Sequence, residues 1–174
     1  MIDTVFAGFL RSQREAGLAL AAESDLFDLT PLGGELPQRY VAEFRCKGLV
    51  RRGPSEVVEA DHFAVGIVFH DQYLRVADPF TVLTWLSPQE VFHPNIRAPF
   101  MCVGSLAPGT ELVDLVYRCF ELVSWQRVTM QEGDALDKEA CAWARHHRHL
   151  LPVDARALKR RVVDLAVEPL AVRS

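Results

Sequence analysis

The residues most able to do chemistry lie in one stretch, His93-Pro94-Asn95 followed by Cys102. Residues 91–109 show neither helical nor strand periodicity, and prolines and glycines interrupt them at Pro94, Pro99, Gly104, Pro108 and Gly109. A loop this long in a compact domain is more often functional than idle. A free thiol, with a pKa of about 8.5, is a few per cent thiolate near neutral pH and is a nucleophile in that form. Cys102 is therefore a candidate catalytic nucleophile, although the usual fate of a free cysteine is that of a small buried hydrophobe.

The other cysteines have sequence contexts that indicate structural roles. Cys46 falls on the buried side of a predicted strand, Cys119 on the apolar stripe of a predicted helix, and Cys141 within another helix. No two cysteines have the short spacing of a zinc site. The cluster His146, His147 and His149 is interpreted as a polar helix end, since no carboxylate or cysteine follows at ligand spacing. The prediction includes no metal and no cofactor.

Composition limits the class of protein. The 174 residues, of which 49% are hydrophobic, are typical of one globular domain, predicted over 1–174. A net charge of −4 argues against a broad positive field for nucleic acid. The start lacks the basic region of a secretory signal, and no uncharged run is long enough to span a membrane. We expect a cytoplasmic location, with reduced thiols.

Periodicity predicts the elements that must position the loop. A helix is expected over 3–22, a turn at 30–34, and half-buried strands over 40–47, 63–69 and 80–85. Residues 51–54 are predicted to turn, and 57–60 is left undecided. Short connections between strands favour an antiparallel meander.

Helices are predicted beyond the loop. A 3.6-residue period over 112–123 predicts one helix, and Asp137 is the expected N-cap of a second running through Ala144. A third is predicted from Asp154 to about residue 168, ending before Pro169. The fold class is therefore α+β, an antiparallel sheet covered on one face by helices.

In this stretch the sequence resembles the ubiquitin-conjugating enzymes. That family has a His-Pro-Asn tripeptide followed by its catalytic cysteine seven or eight residues later, and here Asn95 and Cys102 are seven residues apart. Gln72-Tyr73 with Asp78–Val82 looks like the family's Tyr-Pro and Pro-Pro-x-Val stretch. Residues 133–140 are similar to its Asp-Pro-Leu-Asn-x-Glu-Ala segment and contain Asp134, 32 residues after Cys102. The resemblance covers roughly residues 38–148.

Two departures indicate a divergent member of that family. Phe100-Met101-Cys102-Val103 stands where the family usually has Gly-x-Ile-Cys-Leu, and most of the family's paired prolines are missing. The alanine- and arginine-rich usage favours, by analogy alone, a bacterial ubiquitin-like conjugation system. Some such systems serve antiviral defence.

The resemblance implies a function and a role for each site residue. Cys102 would accept a ubiquitin-like modifier from an activating enzyme as a thioester and transfer it to a lysine amine of a protein target. Asp134 would orient the incoming ammonium and help to remove its proton. Asn95 would stabilise the negative oxygen that forms on attack, or brace the loop that does so. His93 is interpreted as a strut that bonds to backbone and fixes Asn95. Neither nucleic acid nor a membrane is an expected partner.

Several alternatives stay open at this level. A catalytically silent module of the same fold could dock a modifier or partner without bonding to it. A cysteine hydrolase would pair Cys102 with His93, although a histidine nine residues upstream and followed by proline is poorly placed for that. Asn95 could simply cap a turn, and Asp134 could be a helix-entry residue. The basic run 159–161 is interpreted as a solvated helix face.

Overall fold

The structure, a computed structural model, describes residues 3–160, and its first element is helix α1, Thr4–Ala22. The Asp3 side chain caps it by accepting from the Val5 N–H at 3.1 Å. A β-carbon on Gly17 would lie 2.6 Å from the side chain of Leu29 and 2.7 Å from that of Leu112. Gly17 therefore lowers helix propensity but lets α1 pack closely on its neighbours. The predicted N-terminal helix is confirmed.

A four-stranded antiparallel sheet lies next to α1. Its strands are β1 (Phe27–Leu32), β2 (Arg39–Phe44), β5 (Phe63–Val68) and β6 (Leu83–Ser87), in the order β1-β2-β5-β6. A separate hairpin joins β3 (Gly48–Arg52) to β4 (Glu56–Ala60). Because β2 leads into β3 and β4 leads into β5, both ladders belong to one long hairpin that is interrupted halfway. The predicted antiparallel sheet is confirmed.

Three local predictions in this sheet need correction or completion. Residues 30–32 belong to β1 rather than to a turn, and β1 is an edge strand, where Pro31 costs little because its missing N–H would face away from the sheet. Arg51 and Arg52 end β3, so the turn is formed only from Gly53 onward. The undecided stretch 57–60 is strand β4.

The predicted strand over 80–85 is correct only in its second half. A one-turn helix α2, Pro79–Val82, comes first, and the Asp78 carboxylate caps it by accepting from the Phe80 N–H at 3.0 Å. Pro79 at the first helical position has its φ preset for the helix. The Asp-Pro pair was therefore a helix-start signal within an apolar run that otherwise resembles a strand.

Two of the predicted C-terminal helices are confirmed. Helix α3, Leu112–Val123, packs on α1 and buries its apolar stripe against the sheet, and helix α4, Lys138–His146, begins after its N-cap Asp137. The Asp137 carboxylate accepts from the Ala140 N–H at 2.9 Å. A small second core below α4 contains Leu49, Phe92, Trp125, Ala140 and Ala144.

The predicted third helix is wrong over the part of it that the structure describes. Residues 154–160 form neither helix nor strand, and the rest of that helix, 161–168, lies outside the described residues. Asp154 is 5% exposed and its carboxylate accepts from the backbone N–H groups of Lys47 and Arg156, both at 3.2 Å. The Asp154 and Arg160 N–H groups donate to the carbonyls of Ser124 and Glu23, so tertiary hydrogen bonds replace the helical ones.

The tail, residues 151–160, connects the end of α3 with the end of α1 through hydrogen bonds. The Asp154 N–H donates to the Ser124 carbonyl at 2.9 Å, and the Leu158 carbonyl accepts from the Ser24 hydroxyl at 2.5 Å. Arg160 donates to the carbonyls of Ala22 and Glu23 at the C-terminus of α1. Leu158, which is 2% exposed, is the apolar anchor of the tail in the main core.

Candidate active site

Asn95 and Cys102 face each other across a small hairpin inside the predicted loop. Strands β7 (Ile96–Arg97) and β8 (Phe100–Met101) pair antiparallel. The Cys102 N–H donates to the Asn95 carbonyl at 2.8 Å, and the Asn95 side-chain amide donates to the Cys102 carbonyl at 3.4 Å. The seven-residue spacing therefore matches the length of one tight hairpin that brings the two residues together.

Cys102 differs from the other three cysteines in its exposure. Cys46, Cys119 and Cys141 are buried, whereas Cys102 is partly exposed. Burial raises the pKa of the Cys119 thiol to about 12, and burial together with the nearby Asp154 carboxylate raises that of Cys46 to about 12. These two thiols stay protonated and enclosed, so Cys102 is the cysteine best suited to react with a large partner.

His93 lies beneath the hairpin and is 1% exposed. Its Nδ1 accepts from the Asn95 N–H at 3.0 Å, and its ring contacts that of Trp125 with centroids 4.5 Å apart. Burial lowers the pKa of His93 to about 3. Since Nδ1 is an acceptor in a neutral ring, the proton is on Nε2, which has no hydrogen-bond partner among the described residues. His93 thus makes the backbone contact expected of a strut.

The same contacts argue against a cysteine hydrolase. A catalytic base must be free to take the thiol proton and must have a pKa near the working pH. His93 uses one ring nitrogen for Asn95, holds the proton on the other, and is enclosed by the second core.

The Asn95 side chain is engaged at both ends. Its Oδ1 accepts from the Thr129 N–H at 2.9 Å, while its amide nitrogen reaches the Cys102 carbonyl. The side chain therefore links the Cys102 hairpin to the segment after α3. Of the two roles that the sequence left open for Asn95, this geometry favours bracing the loop over direct donation to a developing oxyanion.

Asp134 lies on a separate segment that is fastened to the same loop. It ends a 3-10 turn, Glu132–Asp134, and is exposed. Two residues later, the N–H groups of Leu136 and Asp137 donate to the Pro94 carbonyl at 2.9 and 3.1 Å. Because Asp137 caps α4, Asp134 is not needed for that purpose. Its carboxylate makes no hydrogen bond within residues 3–160, which leaves it available to a partner.

A groove begins at the residue after Cys102, and sequence reasoning missed it. Its volume is about 610 Å³, and it runs between the segment Val103–Ser105 and one face of α3. The side chains that line it are Asp114, Tyr117, Arg118, Glu121 and Arg127. Four of these side chains recur on α3 at intervals of three and four residues, on the face opposite the buried stripe. This spacing could have been recognised in the sequence.

Two exposed aromatic side chains stand at the other side of the hairpin. Phe80 is 44% and Phe100 is 51% exposed, and their rings meet edge to face at 6.0 Å.

The histidines at the end of α4 are used locally. His146 and His147 have Nδ1 at 2.7 and 2.8 Å from the carbonyls four residues earlier in the helix, Ala142 and Trp143. Between residues 3 and 160 no group of three or more His, Cys, Asp or Glu side chains is arranged to hold a metal ion.

No protein-family model matches the chain. No curated protein matches it either. Across the described residues, no helix is both long enough and apolar enough to cross a lipid bilayer. The arguments for function therefore rest on the residues and contacts given above.

Proposed function

We propose that this protein is a thioester carrier of the ubiquitin-conjugating type, in which Cys102 accepts a ubiquitin-like modifier and passes it to an amine. The observation that supports this most directly is the partly exposed thiol of Cys102, held beside Asn95 by two hydrogen bonds. The His-Pro-Asn tripeptide and the position of Asp134 support it as well.

The first step is an exchange between two thioesters. The Cys102 thiolate attacks the carbonyl carbon of a modifier that is bonded to a cysteine of an activating enzyme. A new sulfur–carbon bond forms, the old one breaks, and the activating enzyme leaves as a thiolate. Because the attacking and leaving sulfurs are chemically alike, this step needs no strong base beside Cys102.

The second step transfers the modifier to nitrogen. A neutral lysine amine attacks the thioester carbonyl, a carbon–nitrogen bond forms, and Cys102 leaves as a thiolate. The amine has a pKa of about 10.4 in water and must lose a proton, which the exposed Asp134 carboxylate would attract and help to remove. His93 and Asn95 act as positioning residues that keep the Cys102 hairpin in register.

The partners of such a carrier are a ubiquitin-like modifier, an activating enzyme and a protein target. A bacterial conjugation system that serves antiviral defence in the cytoplasm is the setting that we propose. This setting is proposed by analogy with the ubiquitin-conjugating enzymes that the sequence resembles, and none of the contacts described above bears on it.

A charging assay tests the proposal. The purified chain is mixed with ATP, a ubiquitin-like modifier and an activating enzyme, and covalent adducts are read by non-reducing gel and intact mass. We expect a thiol-sensitive adduct that Cys102→Ala abolishes and that Cys102→Ser converts to a thiol-resistant ester. Cys141→Ala, which changes a buried cysteine behind the same loop, is the matched control and should charge normally.

Two results would contradict the carrier proposal. An adduct that persists in Cys102→Ala would show that another residue is the acceptor. A modifier that binds the chain tightly without ever becoming covalently attached would favour the silent binding module instead.

A further inference from the structure

The groove beside Cys102 carries charged groups whose placement bears on the choice of modifier. Val103, Gly104 and Ser105 form one wall directly after the proposed acceptor residue. Consecutive Cα atoms are at most about 3.8 Å apart, so Gly104 lies within roughly 7.6 Å of Cys102. An acyl chain bonded to Cys102 and lying in this groove would pass Gly104 within its last two or three residues.

Arg127 lies over that point of the groove. Gly104 has φ +85°, and a β-carbon placed on it would be 3.4 Å from the terminal guanidinium nitrogen of Arg127. The Arg127 backbone is held by donation from its N–H to the Glu121 carbonyl at 2.9 Å. Its side chain is exposed and forms no ion pair or hydrogen bond within the part of the chain that the structure describes. The Arg127 guanidinium therefore lies beside Gly104 with a charge that no described residue neutralises.

Arg118, on the α3 side of the groove, adds a second positive charge. Its guanidinium donates to the Ser105 carbonyl at 2.7 Å, so it contacts the segment that follows Cys102. The two carboxylates of the groove, Asp114 and Glu121, stand on α3 and make no side-chain bond to residues 103–105. Within the described residues, positive charge thus contacts the Cys102 side of the groove and negative charge lies on the helix side.

Building on the carrier function proposed above, we infer that the groove receives the C-terminal tail of the modifier and that Arg127 selects for an acidic residue close to its terminal glycine. A tail carboxylate beside Gly104 would meet an unpaired guanidinium, whereas a basic side chain there would meet two like charges. A guanidinium offers a planar pair of donors to a carboxylate, which adds geometric preference to charge.

The solvent exposure of the Arg127 side chain limits how strongly acidic tails are preferred over basic ones. Surface ion pairs are weak and are screened by salt, because solvent competes for both groups. Replacing an acidic tail residue by a basic one changes the sign as well as the strength of its interaction with Arg127. We expect a ratio of about five- to tenfold between acidic and basic tails at low ionic strength.

Three short peptides test the inference without an activating enzyme. The probes are N-acetylated Ala-Ala-X-Gly-Gly thioesters of mercaptoethanesulfonate, with X as Asp, Ala or Arg. In each reaction the Cys102 thiolate forms a bond to the terminal glycyl carbon, the peptide thioester bond breaks, and mercaptoethanesulfonate leaves as a thiolate. The rate of acylation is measured by intact mass at low and at high salt, and Cys102→Ala gives the background from other thiols.

We expect the Asp peptide to react fastest and the Arg peptide slowest, with the ratio falling towards one in high salt. Arg127→Glu should reverse the order, and Arg127→Gln should reduce the preference to the part that Arg118 contributes, without introducing a new charge. Arg11→Glu, which makes the same charge change at an exposed site on α1 outside the groove, should leave the order unchanged.

The outcomes separate this inference from the carrier function. Equal rates for the three peptides, or a preference that Arg127→Gln leaves undiminished, would overturn the role of Arg127 while leaving Cys102 acylated as the carrier function requires. A wild-type chain that none of the peptides acylates at Cys102 would contradict both.

Discussion

Two irregular segments of this protein, the loop 91–109 and the tail 151–160, are held by side chains of different kinds. The loop is anchored by neutral groups, with His93 accepting from the Asn95 N–H and Asn95 bridging to Thr129. The tail is anchored by a charged one, the Asp154 carboxylate, which Arg156 and the Lys47 N–H hold. Intuition assigns the greater pH sensitivity to the charged anchor, but burial reverses this order.

The reversal follows from which protonation state each anchor needs. A buried neutral imidazole resists protonation, so its pKa falls to about 3. The Asp154 carboxylate is already charged, and the hydrogen bonds from Arg156 lower its pKa to about 2. Unfolded histidine takes up a proton near pH 6.5, whereas an unfolded aspartate does so only near pH 3.9. The neutral anchor therefore loses its stabilising effect first on acidification.

The largest expected effect is a loss of stability below pH 6.5 that depends on His93. Between this pH and about 3 the unfolded chain binds a proton at His93 that the folded chain does not, so the free energy of unfolding falls as pH falls, by up to about 1.4 kcal/mol per pH unit. Urea unfolding from pH 7.5 to 4.5 measures this slope.

The variant His93→Gln, whose amide oxygen can still accept from the Asn95 N–H, should be less stable at pH 7.5 but should show a flatter slope. An unchanged slope in this variant would assign the acid sensitivity to other groups. An NMR titration in which the His93 ring protonates above pH 5 would contradict the proposed burial effect directly.

The second effect concerns removal of the charged anchor. Asp154→Ala should lower the free energy of unfolding at pH 7 by about 3 kcal/mol, because it leaves two backbone N–H groups of a buried site without their acceptor. The midpoint of urea unfolding at constant m-value measures the loss. Asp114→Ala, at an exposed carboxylate without such partners among the described residues, is the control and should change stability by less than about 0.5 kcal/mol.

The third effect tests whether the loop is braced locally. Asn95→Ala removes the bonds to Thr129 and Cys102 and should cost about 1–2 kcal/mol. Asn95→Asp keeps the acceptor for the Thr129 N–H and should cost less. Hydrogen exchange at the Thr129 and Cys102 backbone amides measures whether the Asn95 bonds restrain the loop. If Asn95→Ala speeds exchange only in the tail, residues 151–160, then Asn95 does not hold the loop.

The smallest effect is the acid titration of Asp154. Its folded pKa lies below the unfolded value, so its contribution is present above about pH 4 and is lost as pH falls towards 2. Solvent around Arg156, whose side chain is 59% exposed, limits this to about 1 kcal/mol. Comparing Asp154→Asn with the wild type between pH 4.5 and 2 measures it, and a difference that already varies with pH at pH 6 would be inconsistent with this assignment.

The fold was largely predictable where one periodicity dominates. The apolar stripes of α1 and α3 and the alternation in β2 and β5 identified these elements because burial on one face repeats at a fixed interval. Prediction failed at Phe80–Val82, where a single helical turn is too short to show a period, and at 154–160, where hydrogen bonds to distant segments replace helical ones.

The candidate site likewise has features that the sequence reveals and features that it does not. The tripeptide, the seven-residue step to Cys102 and the Asp137 cap could be recognised from the sequence, because hairpin length and capping depend on neighbours along the chain. The Thr129 contact of Asn95 and the position of Arg127 over Gly104 could not, since each joins residues more than twenty positions apart.

The sequence by itself determined the helices α1, α3 and α4, an antiparallel sheet, and the one cysteine set among prolines and glycines. Only the tertiary structure decided that Cys102 is the partly exposed thiol, that His93 is enclosed and neutral, and that residues 154–160 are not helical. The physical reason is that local periodicity encodes which face of an element is buried. Exposure, pKa and the partners of buried polar groups depend on which distant segments pack against that face.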